Sequence, residues 1–315
     1  MRAIPLFTLL LGGWCAIPAH ADEAQDWLNR LSQAEQQQSF QGTFVYERNG
    51  SFSTHNIWHR VQDGKVRERL LQLDGSAQEV LRIDGHTQCV SGSLIAGLGN
   101  TPDGTSRTLD PQKLKNWYDL AVIGKSRVAG RQAVIVALTP KDQHRYGFEL
   151  HLDKETGLPL KSLLLNDKGQ LLERFQFTRL NVAAPTDGEL QASAECKAVA
   201  QDPGKAVAAK TAWHSDWLPP GFELTSSAAR KDPDTQVQVN SLMYDDGLAR
   251  FSVFLEPLNG ANATDTRTQL GPTAAVSRRL TTPQGEMMVT VVGEIPIGTA
   301  ERIALSMRSD VTATQ

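Results

Sequence analysis

The chain contains Arg145-Tyr-Gly-Phe-Glu-Leu-His-Leu152, then Asp153-Lys-Glu-Thr-Gly157, then Leu158-Pro-Leu-Lys-Ser-Leu-Leu-Leu165. Side chains alternate between the two sides of an extended segment, so Tyr146, Phe148, Leu150 and Leu152 share one side. The polar run that ends at Gly157 is typical of a turn. The stretch therefore predicts an antiparallel hairpin with one apolar face. That face needs a cover, which is the protein's own core, a lipid or a partner protein.

The segments around this hairpin show the same pattern. Asn-Gly and Asp-Gly pairs between alternating runs are strong hairpin signals, and four of them occur here: Asn49-Gly50, Asp63-Gly64, Asp74-Gly75 and Asp84-Gly85. Strands are predicted over residues 41–48, 53–61, 65–73, 78–83, 86–91, 121–128, 132–139, 145–152, 158–166 and 170–180. Together they predict an antiparallel meander.

Two short helices accompany these strands. Residues 26–38 carry Trp27, Leu28 and Leu31 at helical spacing. Asp110 followed by Pro111 predicts an N-cap and a first helical position, with the helix running to Trp117. Residues 92–108 are rich in Gly, Ser, Thr and Asn, which predicts a mobile loop.

The composition changes along the chain and predicts two domains. Residues 22–181 form the first domain, and residues 182–210, which are rich in Ala, Pro, Gly, Asp and Lys, form a linker. Residues 211–315 form a smaller second domain, with strands at 222–228, 237–244, 248–255, 274–280 and 287–294. A closing helix over 298–307 completes it, so the fold class is α+β.

The N-terminal residues 1–21 are predicted to be a secretory signal. Arg2 gives the positive start, an apolar run follows, and Ala19-His20-Ala21 provides a small-x-small cleavage site. Without Arg2, 31 of the 32 Lys and Arg residues remain against 35 Asp and Glu, a net charge of about −4. Mild acidity and export both argue against a nucleic-acid partner.

Two cysteines remain after the signal, Cys89 and Cys196. In an oxidising compartment they suit a disulfide, and the alternative is two buried free thiols. The sequence leaves both open.

The sequence indicates no catalytic, cofactor or metal site. It contains no nucleophile elbow, no phosphate-binding loop and no Rossmann glycine fingerprint. His55 and His59 lie on a predicted strand, where four residues span about 13 Å. One zinc ion cannot bridge that distance with ordinary ligand lengths.

An apolar stripe on the predicted sheet is the candidate ligand face. A stripe of this kind is either core or the lining of a lipid cavity, and the pattern fits both. Its members are Phe44, Tyr46, Trp58, Phe148, Leu150, Leu163, Leu165, Phe175 and Phe177.

Several long blocks resemble the RseB/MucB family of periplasmic sigma-factor regulators, most closely its pseudomonad branch. In the first domain these blocks are residues 40–48, 53–60 and 145–165. In the second domain they are residues 217–222, 247–254 and 289–296. The likeness spans almost the whole mature chain.

The resemblance implies a first domain like LolA and LolB, an unclosed antiparallel β-barrel with helices, and a smaller α+β C-terminal domain. It implies a periplasmic protein that binds the periplasmic part of a transmembrane anti-sigma factor of the RseA or MucA kind and shields it from proteolysis. Lipopolysaccharide or another lipid would release it, and the freed sigma factor would control the envelope stress response, including alginate synthesis. No short family motif fixes the partner contacts.

Two other functions remain open at this point. A periplasmic lipid or lipoprotein carrier would use the same apolar face but has no evident use for a second domain. An exported hydrolase is disfavoured, because no nucleophile and base are arranged in the sequence. The sequence also leaves a homodimer open.

Overall fold

The computed structural model describes residues 19–76, 78–92, 109–199, 212–231, 237–260, 263–283 and 285–310. Residues 1–18 of the predicted signal lie outside these ranges. The predicted loop after Gly92 and the predicted linker after Val199 lie outside them as well.

Within the described ranges, an antiparallel sheet of eleven strands forms the first domain. The strands are β1 (Phe40–Arg48), β2 (Ser51–Gln62), β3 (Lys65–Gln72), β4 (Glu79–Ile83), β5 (His86–Val90), β6 (Tyr118–Val128), β7 (Arg131–Pro140), β8 (Gly147–Asp153), β9 (Pro159–Leu165), β10 (Leu171–Asn181) and β11 (Lys197–Ala198). Their order is β11-β5-β4-β3-β2-β1-β10-β9-β8-β7-β6, so β11 and β6 form the two edges and the sheet is not closed. The predicted unclosed antiparallel sheet is confirmed.

Most of its hairpins turn where the sequence predicts. Asn49 and Gly50 have φ of 54° and 74°, and Asp63-Gly64 and Asp84-Gly85 repeat this pair of positive values. Two central residues with positive φ make a type I′ turn, which matches the twist of the flanking strands. Ala129-Gly130, between β6 and β7, has the same conformation without the Asn or Asp signal.

Helix α1 (Ala19–Gln37) covers one face of this sheet, which we call the inner face. Its residues Ala24, Leu28 and Leu31 recur at helical spacing and are buried in one cluster with Val136 of β7 and Leu152 of β8. The helix extends beyond the predicted span of 26–38 at its N-terminal end.

A second helix, α2 (Pro111–Leu114), begins as predicted. The Asp110 side chain accepts hydrogen bonds from the backbone N–H groups of Gln112 and Lys113, and its carbonyl accepts a further one from Lys113. The helix ends at Leu114, before the predicted end at Trp117.

The opposite, outer face of the sheet is crossed by residues 183–198, which we call the strap. Arg60 donates to the Pro185 carbonyl and Arg69 to the Glu189 carbonyl, while Leu190 is fully buried. The sequence places these residues in a linker, but here they pack on the first domain, because side chains from distant strands supply their hydrogen bonds.

The described part of the second domain is a six-stranded antiparallel sheet with one helix. Its elements are β12 (Trp213–Ser215), β13 (Glu223–Lys231), β14 (Gln238–Asp245), β15 (Arg250–Pro257), β16 (Thr266–Leu270), β17 (Thr273–Thr282), β18 (Gly285–Gly293), α3 (Ile297–Ser306) and β19 (Met307–Ser309). The strands are ordered β13-β14-β15-β18-β17-β16, and β12 pairs separately with β19. Ala300, Ile303 and Ala304 of α3 are buried in the core. The predicted smaller α+β domain is confirmed.

Strand β16 has no sequence prediction, because all five of its side chains are exposed and no apolar alternation marks it. Among the described residues, no helix is both long enough and apolar enough to cross a membrane.

Candidate ligand face and domain interface

An aromatic cluster lies on the inner face where β1 and β10 pair. Phe44 is opposite Phe177 and Tyr46 is opposite Phe175, so all four side chains point to the same side. The ring centroids of Phe44 and Phe175 are 4.7 Å apart, and those of Phe175 and Phe177 are 5.0 Å apart. These are distances at which aromatic pairs attract each other.

Two other candidate residues share this face but lie under the helix. Phe148 and Leu150 of β8 pack in the cluster that contains Leu28 and Leu31 of α1. Phe44 and Phe177 are buried, whereas Tyr46 and Phe175 are only half-buried. The inner face is therefore filled core beneath α1, and partly open at the end of β1 and β10.

The remaining three candidates lie on the outer face, which corrects the predicted stripe. Leu163 is opposite Glu149, and Leu165 is opposite Gly147, whereas Phe148 is opposite Leu164. The run of leucines at 163–165 puts apolar side chains on both sides of β9, so alternation alone could not identify the inner ones. The inner face carries Leu160 and Leu164, which the sequence reasoning missed.

Trp58 is also on the outer face, because it pairs with Gln41 while Phe44 pairs with His55. The guanidinium of Arg69 lies 4.8 Å from the centre of the Trp58 ring. Arg69 also holds the strap, so Trp58 belongs to the contact between sheet and strap rather than to the aromatic cluster.

The strap is held by hydrogen bonds to a buried ion pair of the sheet and by a disulfide. Glu79 is 1% exposed and binds Arg69 at 2.6 Å, and it accepts hydrogen bonds from the backbone and hydroxyl of Ser193. Cys89 and Cys196 are bonded, with Sγ atoms 2.06 Å and Cα atoms 5.4 Å apart. Of the two alternatives left open by the sequence, the structure has the disulfide.

The open end of the aromatic cluster has polar groups that reach the second domain. Arg48 contacts the Thr273 hydroxyl of β17 and lies 3.6 Å from the Glu294 carboxylate. Burial, and then a hydrogen bond to Glu173, raise the pKa of Tyr46 far above its usual value. Burial likewise raises the pKa of the Glu173 carboxyl, and the negative charge of Glu294 adds to it.

A buried charged group, which we call the Arg145 cluster, joins the two domains. It consists of Arg145, Asp142 and Tyr118 from the first domain and Asp246 and Pro220 from the second. Nη1 of Arg145 lies 2.5 Å from Oδ2 of Asp246, and Nη2 donates to the Pro220 carbonyl at 2.5 Å. Both side chains of the Arg145–Asp246 pair are 0% exposed.

Further contacts surround this cluster. Burial, together with the Asp246 carboxylate, raises the pKa of Tyr118, whose hydroxyl lies 3.4 Å from that carboxylate. Tyr146 donates to the Ile295 carbonyl at 3.2 Å, and His144 lies 3.1 Å from the Thr299 hydroxyl. The stretch that contains the predicted hairpin therefore serves two purposes. Its residues from Gly147 onward form β8 and β9, whereas Arg145 and Tyr146, together with His144 just before them, contact the second domain.

The Arg145 cluster was not predicted. Arg145 begins the predicted strand over residues 145–152, but it precedes β8 and turns toward the second domain. The only local signal is the pair Asp245-Asp246 before Gly247, because Asp and Gly together are typical of a turn. Asp246 does form that turn, accepting from the N–H groups of Leu248 and Ala249.

Two cavities lie elsewhere on the described surface. One of about 490 Å³ is lined mainly by charged side chains of the β6–β7 and β8–β9 turns, including Arg127, Arg131 and Glu155. The other, of about 90 Å³, lies between the domains beside Leu171 and Gly271. None of the nine candidate residues lines either of them. No group of three or more His, Cys, Asp or Glu side chains in the described ranges is arranged to hold a metal ion.

Comparison with known proteins places both domains in one family. Residues 23–198 match the MucB/RseB N-terminal domain, and residues 207–308 match the MucB/RseB C-terminal domain. The sigma factor AlgU regulatory protein MucB of Pseudomonas aeruginosa is 64% identical over 317 residues, covering 99% of each chain.

Two solved structures extend this likeness to the fold. The MucA/MucB complex of Pseudomonas aeruginosa matches with a TM-score of 0.82 at 62% identity, over 92% of this chain and all of that one. A crystal structure of MucB matches with a TM-score of 0.69 at 62% identity, over 91% of this chain and 98% of that one. The chain belongs to the MucB/RseB family of sigma-factor regulatory proteins.

Proposed function

We propose that this chain is a periplasmic regulator that binds the periplasmic domain of a MucA-like anti-sigma factor and shields it from regulated proteolysis. The observation that carries the proposal is the likeness to MucB in its complex with MucA, which extends through both domains. The exported character predicted from residues 1–21 agrees with this location. It acts by binding, and its named relatives are regulators rather than enzymes.

Lipid is the proposed releasing signal. The support for this is the aromatic cluster, in which Tyr46 and Phe175 are half-buried at the end of the inner face that α1 leaves open. An acyl chain could add to that cluster and gain the free energy of apolar burial. A ligand that favours one state of the protein, while MucA favours another, releases MucA by linkage.

A lipid carrier is the second candidate, and the same cluster favours it. Two features weigh against it: α1 fills much of the inner face, and the second domain is joined to the first through the buried Arg145 cluster. A carrier would transfer lipid between membranes without any anti-sigma factor.

A protease-protection assay tests the regulatory function. The MucA periplasmic domain is exposed to its site-1 protease alone, with this protein, and with this protein plus lipopolysaccharide. We expect protection that lipopolysaccharide reverses. If the protein neither binds nor protects MucA, the regulatory function is wrong, and transfer of a fluorescent lipid between vesicles would then support the carrier.

The variant Phe175→Asp tests the lipid site in the same assay. A carboxylate at this position makes acyl-chain burial unfavourable, so the variant should still protect MucA but lose the response to lipopolysaccharide. Phe52→Asp is the control, because Phe52 is 62% exposed and lies outside the cluster. An unchanged response in a folded Phe175→Asp variant would remove the aromatic cluster from the lipid site.

A further inference from the structure

We propose that Arg145 and Asp246 are positioning residues: their buried contact fixes the two domains in the orientation that binds the MucA periplasmic domain. This inference rests on the proposed function and adds to it the residues that control the binding-competent state. It concerns the orientation of the domains and assigns neither residue a direct contact with MucA.

The hydrogen-bonding geometry allows little freedom. The Arg145 guanidinium donates to three residues through four oxygen atoms: both carboxylate oxygens of Asp142, Oδ2 of Asp246 and the Pro220 carbonyl. Asp142 belongs to the first domain and fixes the orientation of the guanidinium there. Asp246 and Pro220 belong to the second domain, so their hydrogen bonds cross between the domains. A planar guanidinium with a fixed fork of donors satisfies all three only in a narrow range of orientations.

The surroundings of the pair are apolar and aromatic. The guanidinium carbon of Arg145 lies 5.1 Å from the ring centre of Phe222, 5.6 Å from that of Tyr118 and 5.8 Å from that of Trp117. Removing water from a charge is costly unless a partner compensates for it. The free energy of the Arg145–Asp246 pair is therefore low when the contact is complete or when both charges are hydrated. It is high when the domains are partly separated and either charge is dehydrated without its partner.

Close packing beside the pair enforces the same orientation. A Cβ atom on Gly221 would lie 2.2 Å from the Trp117 ring, so only glycine allows this approach of the two domains. Gly221 also has φ of +88°, which side chains rarely adopt. The close packing at Gly221 and the Arg145–Asp246 ion pair therefore both favour the same orientation of the two domains.

Two solved structures match the overall fold of this chain to different degrees. At the same 62% identity and nearly equal coverage, the TM-score is 0.82 for the MucA/MucB complex and 0.69 for the structure of MucB. The fold that contains the complete Arg145 cluster therefore superposes more closely on the MucA/MucB complex than on that structure of MucB.

The variant Asp246→Asn tests the inference in the full chain. Oδ1 of Asp246 accepts from the N–H groups of Leu248 and Ala249 at 2.8 and 2.7 Å, and the asparagine carbonyl keeps these bonds. The amide nitrogen then replaces Oδ2 and presents a donor to Arg145. We expect affinity for the MucA periplasmic domain to fall at least tenfold. The distance distribution between spin labels at the exposed positions Lys125 and Leu305 should broaden or shift.

Arg131→Met is the matched control. Arg131 pairs with the buried Asp153 at 2.9 and 2.8 Å, but both residues lie within the first domain. Loss of that pair should lower thermal stability while leaving the label distances and MucA affinity unchanged. Gly221→Ala is the second variant, should Asp246→Asn fail to fold, because it separates the same surfaces without changing a charge. Like Asp246→Asn, it should lower the affinity for the MucA periplasmic domain and change the distance distribution between the spin labels.

Two results would overturn the inference. Either variant could fold with unchanged label distances, in which case the contact does not set the orientation. Alternatively, the distances could change while MucA binds within twofold of the wild-type affinity, in which case binding does not depend on orientation. Failure of the wild-type protein to bind MucA is a separate result: it would reject the proposed function and, with it, this inference.

Discussion

The two faces of the large sheet are covered in different ways. On the inner face, α1 packs apolar side chains such as Leu28 and Leu31 against β7 and β8. On the outer face, the strap has one fully buried leucine, Leu190, and is held by charged hydrogen bonds and by the Cys89–Cys196 disulfide.

This difference shows that a helix and an irregular segment need different means of attachment. A helix satisfies its own backbone hydrogen bonds, so an apolar stripe is enough to hold it. The strap cannot do so, and its carbonyl groups at Pro185 and Glu189 need donors from Arg60 and Arg69. A covalent bond and ionic contacts take the place of a large apolar surface.

The largest expected effect comes from the covalent contact on the outer face. In the chain-entropy model, a disulfide across a separation of 107 residues stabilises the fold by about 4 to 5 kcal/mol. We therefore expect Cys89→Ser combined with Cys196→Ser to lower the free energy of unfolding by about this amount. Urea denaturation measures it, with reductant added to the wild type as an independent way to break the bond. A loss below about 1 kcal/mol would mean that non-covalent contacts hold the strap.

An intermediate effect is expected from the inner face. Leu28 is fully buried between α1 and the sheet, so Leu28→Ala should cost about 3 kcal/mol through lost apolar burial and the cavity left behind. Gln36→Ala on the exposed side of α1 should change stability by less than about 0.5 kcal/mol. Equal effects of the two substitutions would show that α1 does not close the core.

The smallest effect is expected at Glu79, and it depends on pH. Burial alone would raise the pKa of Glu79, but hydrogen bonds from Ser193 and Arg69 outweigh it and hold the pKa below its usual range. The ionised carboxylate therefore stabilises the fold above the unfolded-state pKa of about 4.3, and this stability is lost as the pH falls through the lower folded-state pKa.

Glu79→Gln should accordingly lower the free energy of unfolding by about 2 kcal/mol at pH 7, with the difference from wild type shrinking below about pH 4. The measurement is urea denaturation at a series of pH values. Glu286→Gln, at an exposed position of the second domain, is the control for the loss of one carboxylate charge. A difference that stays constant down to pH 3 would assign the effect to packing rather than charge.

Local signals predicted the first domain well. Alternation together with Asn-Gly and Asp-Gly pairs identified ten of the eleven strands of the large sheet, and Asp110-Pro111 identified the start of α2. The missing strand, β11, is two residues long and pairs with β5 only because the strap returns to the sheet. The strap has no periodic pattern, so composition alone indicated a linker.

The candidate ligand face was predicted less completely. Six of its nine residues share the inner face, and Trp58, Leu163 and Leu165 do not. A shift of one residue in register moves a side chain to the other face, and an unbroken leucine run gives no information about register. The sequence provided even less indication of the Arg145 cluster, because Arg145 and Asp246 lie 101 residues apart in the chain.

The sequence by itself predicted most of the strands and their turns, and it showed the family resemblance, because each depends on residues close together in the chain or on long blocks of similarity. Only the tertiary structure decided which side of β9 faces the core, how the strap covers the outer face, and how Arg145 meets Asp246. The physical reason is the same in each case: a long-range contact depends on register and on the docking of distant segments, and neither leaves a periodic pattern in the sequence.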